Sequence, residues 1–339
     1  MPPLHSPMPN RLPAACLLAL CTALGACSPA SFNVSVGPGS RTLRESSVLR
    51  DKNAGGNKVA MIDLRGLISD DSEPGLFGSA PNPVDEILSR LKLAEDDSSV
   101  KAVIIRINSP GGTVTASDII YREIRRFSDA THKPVIASMG EITASGGYYI
   151  SLAADEIVAE PTSLTGSVGV IIPTLNFSEG LGKIGIVSRS VKSGPNKDLG
   201  NPLEPMRDSQ YAVLQGIVDE FYAKFKGLVI ERRPRLAPDH IAEATDGRIV
   251  TGKTAVAWGL ADREGGVREA FEIAKERAGI KGADLVKYSV GSGKSRTAYG
   301  ETPVEPARAA AGPEINLLQV KIPGLETAGN AYYLWGMVP

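Results

Sequence analysis

The run Ala102-Val-Ile-Ile-Arg-Ile107 constrains the fold of this chain more than any other segment. Its near-continuous apolar character leaves no face for water, so a strand built from it must be covered on both sides. A glycine-rich loop and then a helix-forming stretch follow it, and similar strand–helix units recur along the chain. Strands are predicted over residues 59–68, 101–108, 134–139, 157–159 and 168–172, and helices over 83–93, 115–127 and 145–154. A long amphipathic helix is predicted over 209–231, because Val213, Leu214, Ile217, Val218, Phe221, Phe225 and Leu228 recur at intervals of three and four. This alternation implies an α/β protein whose mainly parallel sheet is covered by helices. No internal repeat is visible, so one catalytic unit is expected over residues 58–290.

The ends of the chain differ from that unit. Arg11 precedes an apolar stretch from Leu12 to Ala26, too short to span a bilayer and suited to a signal peptide over residues 1–26. It closes on Leu24-Gly25-Ala26-Cys27, which resembles the bacterial lipobox. All three cysteines (Cys16, Cys21 and Cys27) lie here, so a processed chain keeps only Cys27, the lipidation candidate. No disulfide, zinc site or thiol nucleophile is then expected. Acyl chains on Cys27 would anchor the protein to a membrane, with the catalytic unit on the periplasmic side of the cell envelope. Ser28 after it hints at outer-membrane sorting. Residues 27–57 are Ser-, Gly- and Asn-rich and read as a flexible tether. Residues 291–339 read as an extended tail whose apolar end, Tyr332-Tyr333-Leu334-Trp335, could occupy a peptide groove or lie on the membrane. The balance of 37 Lys and Arg against 38 Asp and Glu gives no electrostatic case for a nucleic-acid partner.

The candidate chemistry centres on Glu141-Ile-Thr-Ala-Ser-Gly-Gly-Tyr-Tyr149, which sets Ser145 between a predicted strand and a predicted helix. A serine hydroxyl is a poor nucleophile until a neighbour accepts its proton. His132 and His240 sit in contexts that suit loop or capping residues, and no Gly-x-Ser-x-Gly elbow surrounds Ser145. The remaining candidate base is Lys197, in Ser193-Gly-Pro-Asn-Lys-Asp198. Lysine can serve if its surroundings lower its pKa from about 10.4 towards 7 or 8, at roughly 3 to 5 kcal/mol. Ser167 is a candidate to orient the amine. Backbone N–H groups at Gly111, Gly112 and Gly146 are candidate oxyanion donors; the same glycines also suit tight strand–helix turns. Neither a metal nor a cofactor is called for.

The segments Ile107 to Gly112, Ala144 to Tyr149, Leu164 to Val170 and Ser193 to Asp198 resemble, in order and spacing, those of the bacterial signal peptide peptidase A family. The resemblance covers about residues 58 to 290 and implies a ClpP/crotonase-like fold. It also implies a Ser–Lys dyad, with Ser145 as nucleophile, Lys197 as general base, Ser167 as the lysine-orienting hydroxyl and Gly112 as an oxyanion donor. Remnant signal peptides and other unfolded peptides would be substrates. Ring-like homo-oligomers are implied as well, with Ser and Lys supplied by neighbouring protomers. A lipid in place of the family's common transmembrane helix, and the tail after residue 291, depart from that pattern.

One motif is a decoy. Gly247 to Thr254 fits the phosphate-binding pattern G-x-x-x-x-G-K-T, yet its interior is β-prone and no strand precedes it. A short strand and a helix from Lys253 to Trp258 are expected there instead. The rival functions are a catalytically silent peptide-binding scaffold and a crotonase-type acyl-CoA enzyme. Retention of both Ser145 and Lys197 speaks against the first, and an export signal against the second.

Overall fold

The computed structural model describes residues 43–71, 82–290, 295 and 297–300, with the backbone of short strands at 74–75, 78–79 and 332–334. The strands are β1 (Leu43–Leu49), β2 (Lys58–Ile68), β3 (Pro74–Gly75), β4 (Gly78–Ser79), β5 (Val100–Thr113) and β6 (Val135–Ala144). They continue with β7 (Glu156–Ala159), β8 (Leu164–Gly166), β9 (Ile249–Thr251), β10 (Arg263–Glu264), β11 (Asp284–Val290) and β12 (Tyr332–Leu334). The helices are α1 (Pro83–Asp96), α2 (Val114–Thr131), α3 (Gly146–Ser151), α4 (Ser178–Lys183), α5 (Asp208–Arg232), α6 (Ile241–Ala244), α7 (Gly252–Trp258) and α8 (Val267–Arg277).

The main sheet runs β1-β11-β2-β5-β6-β7-β10. Every pair from β11 to β10 is parallel, with β1 antiparallel at one edge. Both faces are covered, as the apolar strands require. Val103, Ile105 and Ile107 of β5 join the cluster under α1, α2 and α3, while Ala102 and Ile104 join the one under α8. Helix α1 begins under an Asn82 cap that accepts from the Asp85 amide, with Pro83 at its first position. Helix α2 begins under Thr113 in the same way.

Several expectations need correction. The stretch taken as tether through residue 57 contains β1, whose residues 43–49 pair with β11 and close its edge. The compact unit also extends past residue 290. Ala298 is buried against the α8-side cluster, and Lys287 Nζ donates to the Gly300 carbonyl at 2.8 Å. No strand forms over 168–172. The strand is β8, and Gly166 (φ 84°) with Ser167 (φ 52°) then turns the chain out of the sheet. Strand β5 does not stop at a loop but runs through Gly111 and Gly112 to Thr113. Helix α5 forms where expected, yet of its apolar stripe only Phe225 is buried, joined by Val229; Val213 and Ile217 face solvent. Cys27 and the rest of the leader lie outside the described residues, as does most of the tail.

Candidate active site

Strand β6 delivers Ser145 and α3 leaves from it. The side chain is 0% exposed, and the backbone sits at φ 51° and ψ −115°, outside the regions that L-residues favour. Two hydrogen bonds hold it there. The Ser145 amide donates to the Gly166 carbonyl at 2.8 Å, and the Tyr149 amide donates to the Ser145 carbonyl at 2.8 Å. Among the described residues the Ser145 Oγ has no hydrogen-bond partner. A buried hydroxyl without a partner on a strained backbone makes Ser145 the candidate functional position.

Strand β8 lies parallel to the end of β6, with Ala144 opposite Gly166, and so brings Ser167 beside Ser145. Ser167 is 6% exposed and its amide donates to the Arg248 carbonyl at 2.7 Å. A set of buried hydroxyls that sequence reasoning missed staples this region. Thr143 donates to the Ile107 carbonyl at 2.7 Å, Thr165 to that of Thr143 at 2.6 Å, and Ser163 to that of Gly140 at 2.5 Å. Their signal was present as hydroxyl residues at every second position, Thr143 and Ser145 at the end of β6 and Ser163, Thr165 and Ser167 in and beside β8.

The glycines divide by role. The Gly111 amide donates to Ser109 Oγ at 3.1 Å, and that hydroxyl donates to the Gly66 carbonyl at 2.6 Å. Gly111 is therefore engaged within the strand, which leaves Gly112 and Gly146 as the candidate oxyanion donors. A Cβ at Gly112 would lie 1.9 Å from the Ile68 carbonyl oxygen, so close backbone packing requires glycine there. Gly146 opens α3, where helix geometry leaves its amide without an intrahelical acceptor.

Lys197 is not brought to Ser145 within one chain. It stands exposed in a turned segment and lines a shallow cavity of about 380 Å³ with Lys192 and Asp198. Its neighbour Asp198 fixes the segment. The carboxylate accepts from Lys192 Nζ and, at 2.9 Å, from Gln210 Nε2 on α5. The Lys192 hydrogen bond holds the Asp198 carboxyl below its ordinary pKa. In the stretch of chain that carries Lys197, residues 168–207, the side chains of Ile171, Leu175, Ile184, Val187, Val191 and Leu203 are exposed, and Val191 lines the same cavity.

The histidines take structural places. His132 caps α2 in the left-handed region, and His240 stacks on Trp258 at 4.9 Å. The phosphate-loop decoy is closed. The Gly252 and Lys253 amides donate to the Ser163 and Pro161 carbonyls, and a Cβ at Gly252 would lie 2.0 Å from the Glu160 carbonyl oxygen. Among the described residues no group of three or more His, Cys, Asp or Glu is placed to hold a metal ion.

Residues 128–281 match the model of peptidase family S49, and residues 81–163 match that of Clp protease. The chain is 32% identical over 250 residues to a putative signal peptide peptidase SppA of Enterococcus faecium, covering 74% of this chain and 72% of that protein. It is 34% identical over 223 residues to a putative protease of Synechocystis sp., covering 66% of this chain and 75% of that one. With protease 4 of Salmonella typhi the identity is 36% over 234 residues, or 69% of this chain and 37% of that protein.

Proposed function

Because the chain belongs to peptidase family S49, the signal peptide peptidase A family, we propose that it is a membrane-anchored endopeptidase working through a Ser145–Lys197 dyad. Family membership and the ClpP-like α/β fold make it a serine peptidase. The dyad, its sharing between protomers, the lipid anchor on Cys27 and the periplasmic placement are our reading. The observation that carries the dyad is the buried, strained and unpartnered Ser145 hydroxyl.

In this reading the neutral Lys197 amine takes the Ser145 proton as Oγ bonds to the peptide carbonyl carbon. The oxyanion is held by the amides of Gly112 and Gly146. Collapse breaks the C–N bond, and Lys197 returns the proton to the leaving amine. A water deprotonated by the same lysine then releases the acyl group and regenerates the Ser145 hydroxyl. The substrates are remnant signal peptides and other unfolded peptides, bound as an added strand on the edge of β5 at Gly111–Thr113.

Two features support assembly of the dyad between copies of this chain in a ring. Lys197 is exposed and away from Ser145 within one protomer, so the burial a basic lysine needs must come from a neighbour. The 168–207 stretch that carries Lys197 and helix α5 also expose large apolar side chains, Val191, Val213 and Ile217 among them, that a second copy would cover. Attachment rests on the lipobox-like leader; among the described residues no helix is long and apolar enough to cross a membrane.

The test is cleavage of a quenched, unfolded peptide by the detergent-solubilised full chain, by Ser145→Ala and by Lys197→Ala. Both substitutions are expected to lower kcat by at least about 10³-fold. Activity that survives either one rejects the dyad. Intact mass of the membrane-extracted protein reads the anchor directly, and a mature chain without acyl groups on Cys27 would remove it.

A further inference from the structure

We propose that Asp118 is a positioning residue for Ser145, acting through the Tyr149 hydroxyl, an inference that rests on the peptidase reading above. The strained turn at Ser145 is held on its carbonyl side by the Tyr149 amide, so the place of Tyr149 sets the place of the turn. Helix α3 cannot fix Tyr149 by itself, because its six residues are too few to be stable without packing. Its two tyrosines anchor it, pointing about 100° apart around the helix axis. The Tyr148 hydroxyl donates to the Leu260 carbonyl at 2.9 Å, and the Tyr149 hydroxyl donates to Asp118 Oδ1 on α2 at 2.8 Å. The buried Tyr149 ring meets Tyr121 of α2 and Phe225 of α5 edge-on, with centroids 5.5 and 5.0 Å away.

Asp118 receives that hydroxyl as a carboxylate. Lys224 Nζ of α5 lies 2.8 Å from Oδ1, and Arg122 Nε of α2 lies 3.1 Å from Oδ2. Burial raises the Asp118 pKa, but hydrogen bonds from Lys224 and Tyr149 outweigh it and hold the carboxyl below its ordinary range. A phenol donating to an ionised carboxylate makes a charge-assisted bond, roughly twice as strong as a neutral one. The array from Lys224 through Asp118 and Tyr149 thus ends on the Ser145 carbonyl, and the same helix α5 holds the Lys197 segment through Gln210. Such support matters because a misplacement of about 1 Å costs on the order of 100-fold in rate. The array acts on the nucleophile and not on the β5 edge that would hold the peptide. Its loss should therefore lower kcat and leave KM unchanged.

The test is a double-mutant cycle in the full chain with Tyr149→Phe, Asp118→Asn and both together. Tyr149→Phe removes only the hydroxyl and leaves Asp118 paired with two cations, so no charge is stranded. Each single variant is expected to lower kcat for the quenched peptide about 10-fold with KM unchanged, and the double variant no further. Losses that multiply to about 100-fold mean that the two residues act independently and overturn the inference, as does a change confined to KM. Hydrogen exchange supplies a readout that needs no activity. The amides of residues 145–151 should exchange at least about 10-fold faster in each variant, while those of β5 stay as protected as in the wild type. Unchanged exchange at residues 145–151 overturns the inference. If no protein cleaves any peptide, the peptidase reading fails, while exchange still decides whether Asp118 holds the Ser145 turn.

Discussion

Ser145 is set apart by its backbone as much as by its hydroxyl. At φ 51° and ψ −115° it occupies a conformation that glycine adopts readily and serine does not. The strain is imposed from both sides, by the Gly166 carbonyl on its amide and by the first turn of α3 on its carbonyl. Two inactive variants separate hydroxyl from strain. Ser145→Ala keeps the Cβ and the strain, whereas Ser145→Gly relieves it. The glycine variant is expected to be more stable by about 1 kcal/mol, the strain relieved less the extra chain entropy lost by glycine. Urea unfolding of both measures the difference, and a glycine variant no more stable than the alanine one would mean that the backbone is relaxed. The candidate nucleophile and its place were legible, because a strand, a serine, two glycines and a helix occur in that order. The strain was not, since it depends on β8 arriving from about 20 residues further along the chain.

Elements were legible where one period dominated and illegible where a backbone turn decided the boundary. Strand β5 was plain from residue 101 to 108, but its passage through two glycines depends on Leu67 and Ile68 of β2, a partner that no local pattern announces. Residues 168–172 carry strand-like composition, yet Gly166 and Ser167 divert them from the sheet. The stripe on α5 was read correctly as periodic, but periodicity does not say what covers it, and within one chain Val213 and Ile217 are left exposed. The Lys197 segment depends on a clamp that sequence does not display. Asp198 ties it to Lys192 and to Gln210 on α5. Asp198→Asn is expected to lower kcat about 10-fold by loosening the lysine, with KM and the unfolding midpoint unchanged; a fall in KM-linked binding alone would reassign the residue. A second carboxylate sets a pH dependence at the junction of α1 and β5. Burial would raise the pKa of Asp97, but hydrogen bonds from the Ser99 hydroxyl and amide and from Lys58 bring it from 3.8 to about 2. A lowered folded-state pKa contributes stability above pH 3.8 that is lost as pH falls through 2. Asp97→Asn should therefore cost about 1 kcal/mol at neutral pH, a modest value for a partly exposed pair. Urea midpoints of the two proteins should converge near pH 2, and a constant gap would exclude the carboxylate as the cause.

At the scale of the whole molecule, one chain contains every part of the proposed site and assembles only half of it. Ser145 and Gly146 stand at the end of β6 and Gly112 near the end of β5, while Lys197 is exposed in a turned segment outside the sheet. A conformational change within one protomer would have to carry the 168–207 segment against the hydrogen bond from Gln210 of α5 to Asp198. In the proposed assembly no such movement is needed, since association would bury exposed apolar side chains and bring a neighbour's lysine to the serine at once. The two routes give different results when inactive proteins are mixed. If each site draws Ser145 from one protomer and Lys197 from the next, Ser145→Ala and Lys197→Ala chains mixed equally and reassembled form about one quarter of their sites intact. Peptide cleavage should then return to about one quarter of the wild-type rate, although neither protein is active alone. Replacing Val213 and Ile217 on α5 with glutamate in both chains should abolish that recovery and leave a folded, smaller species by light scattering. Assembled mixtures without recovered activity would place both members of the dyad in one chain, and the 168–207 segment would then have to move.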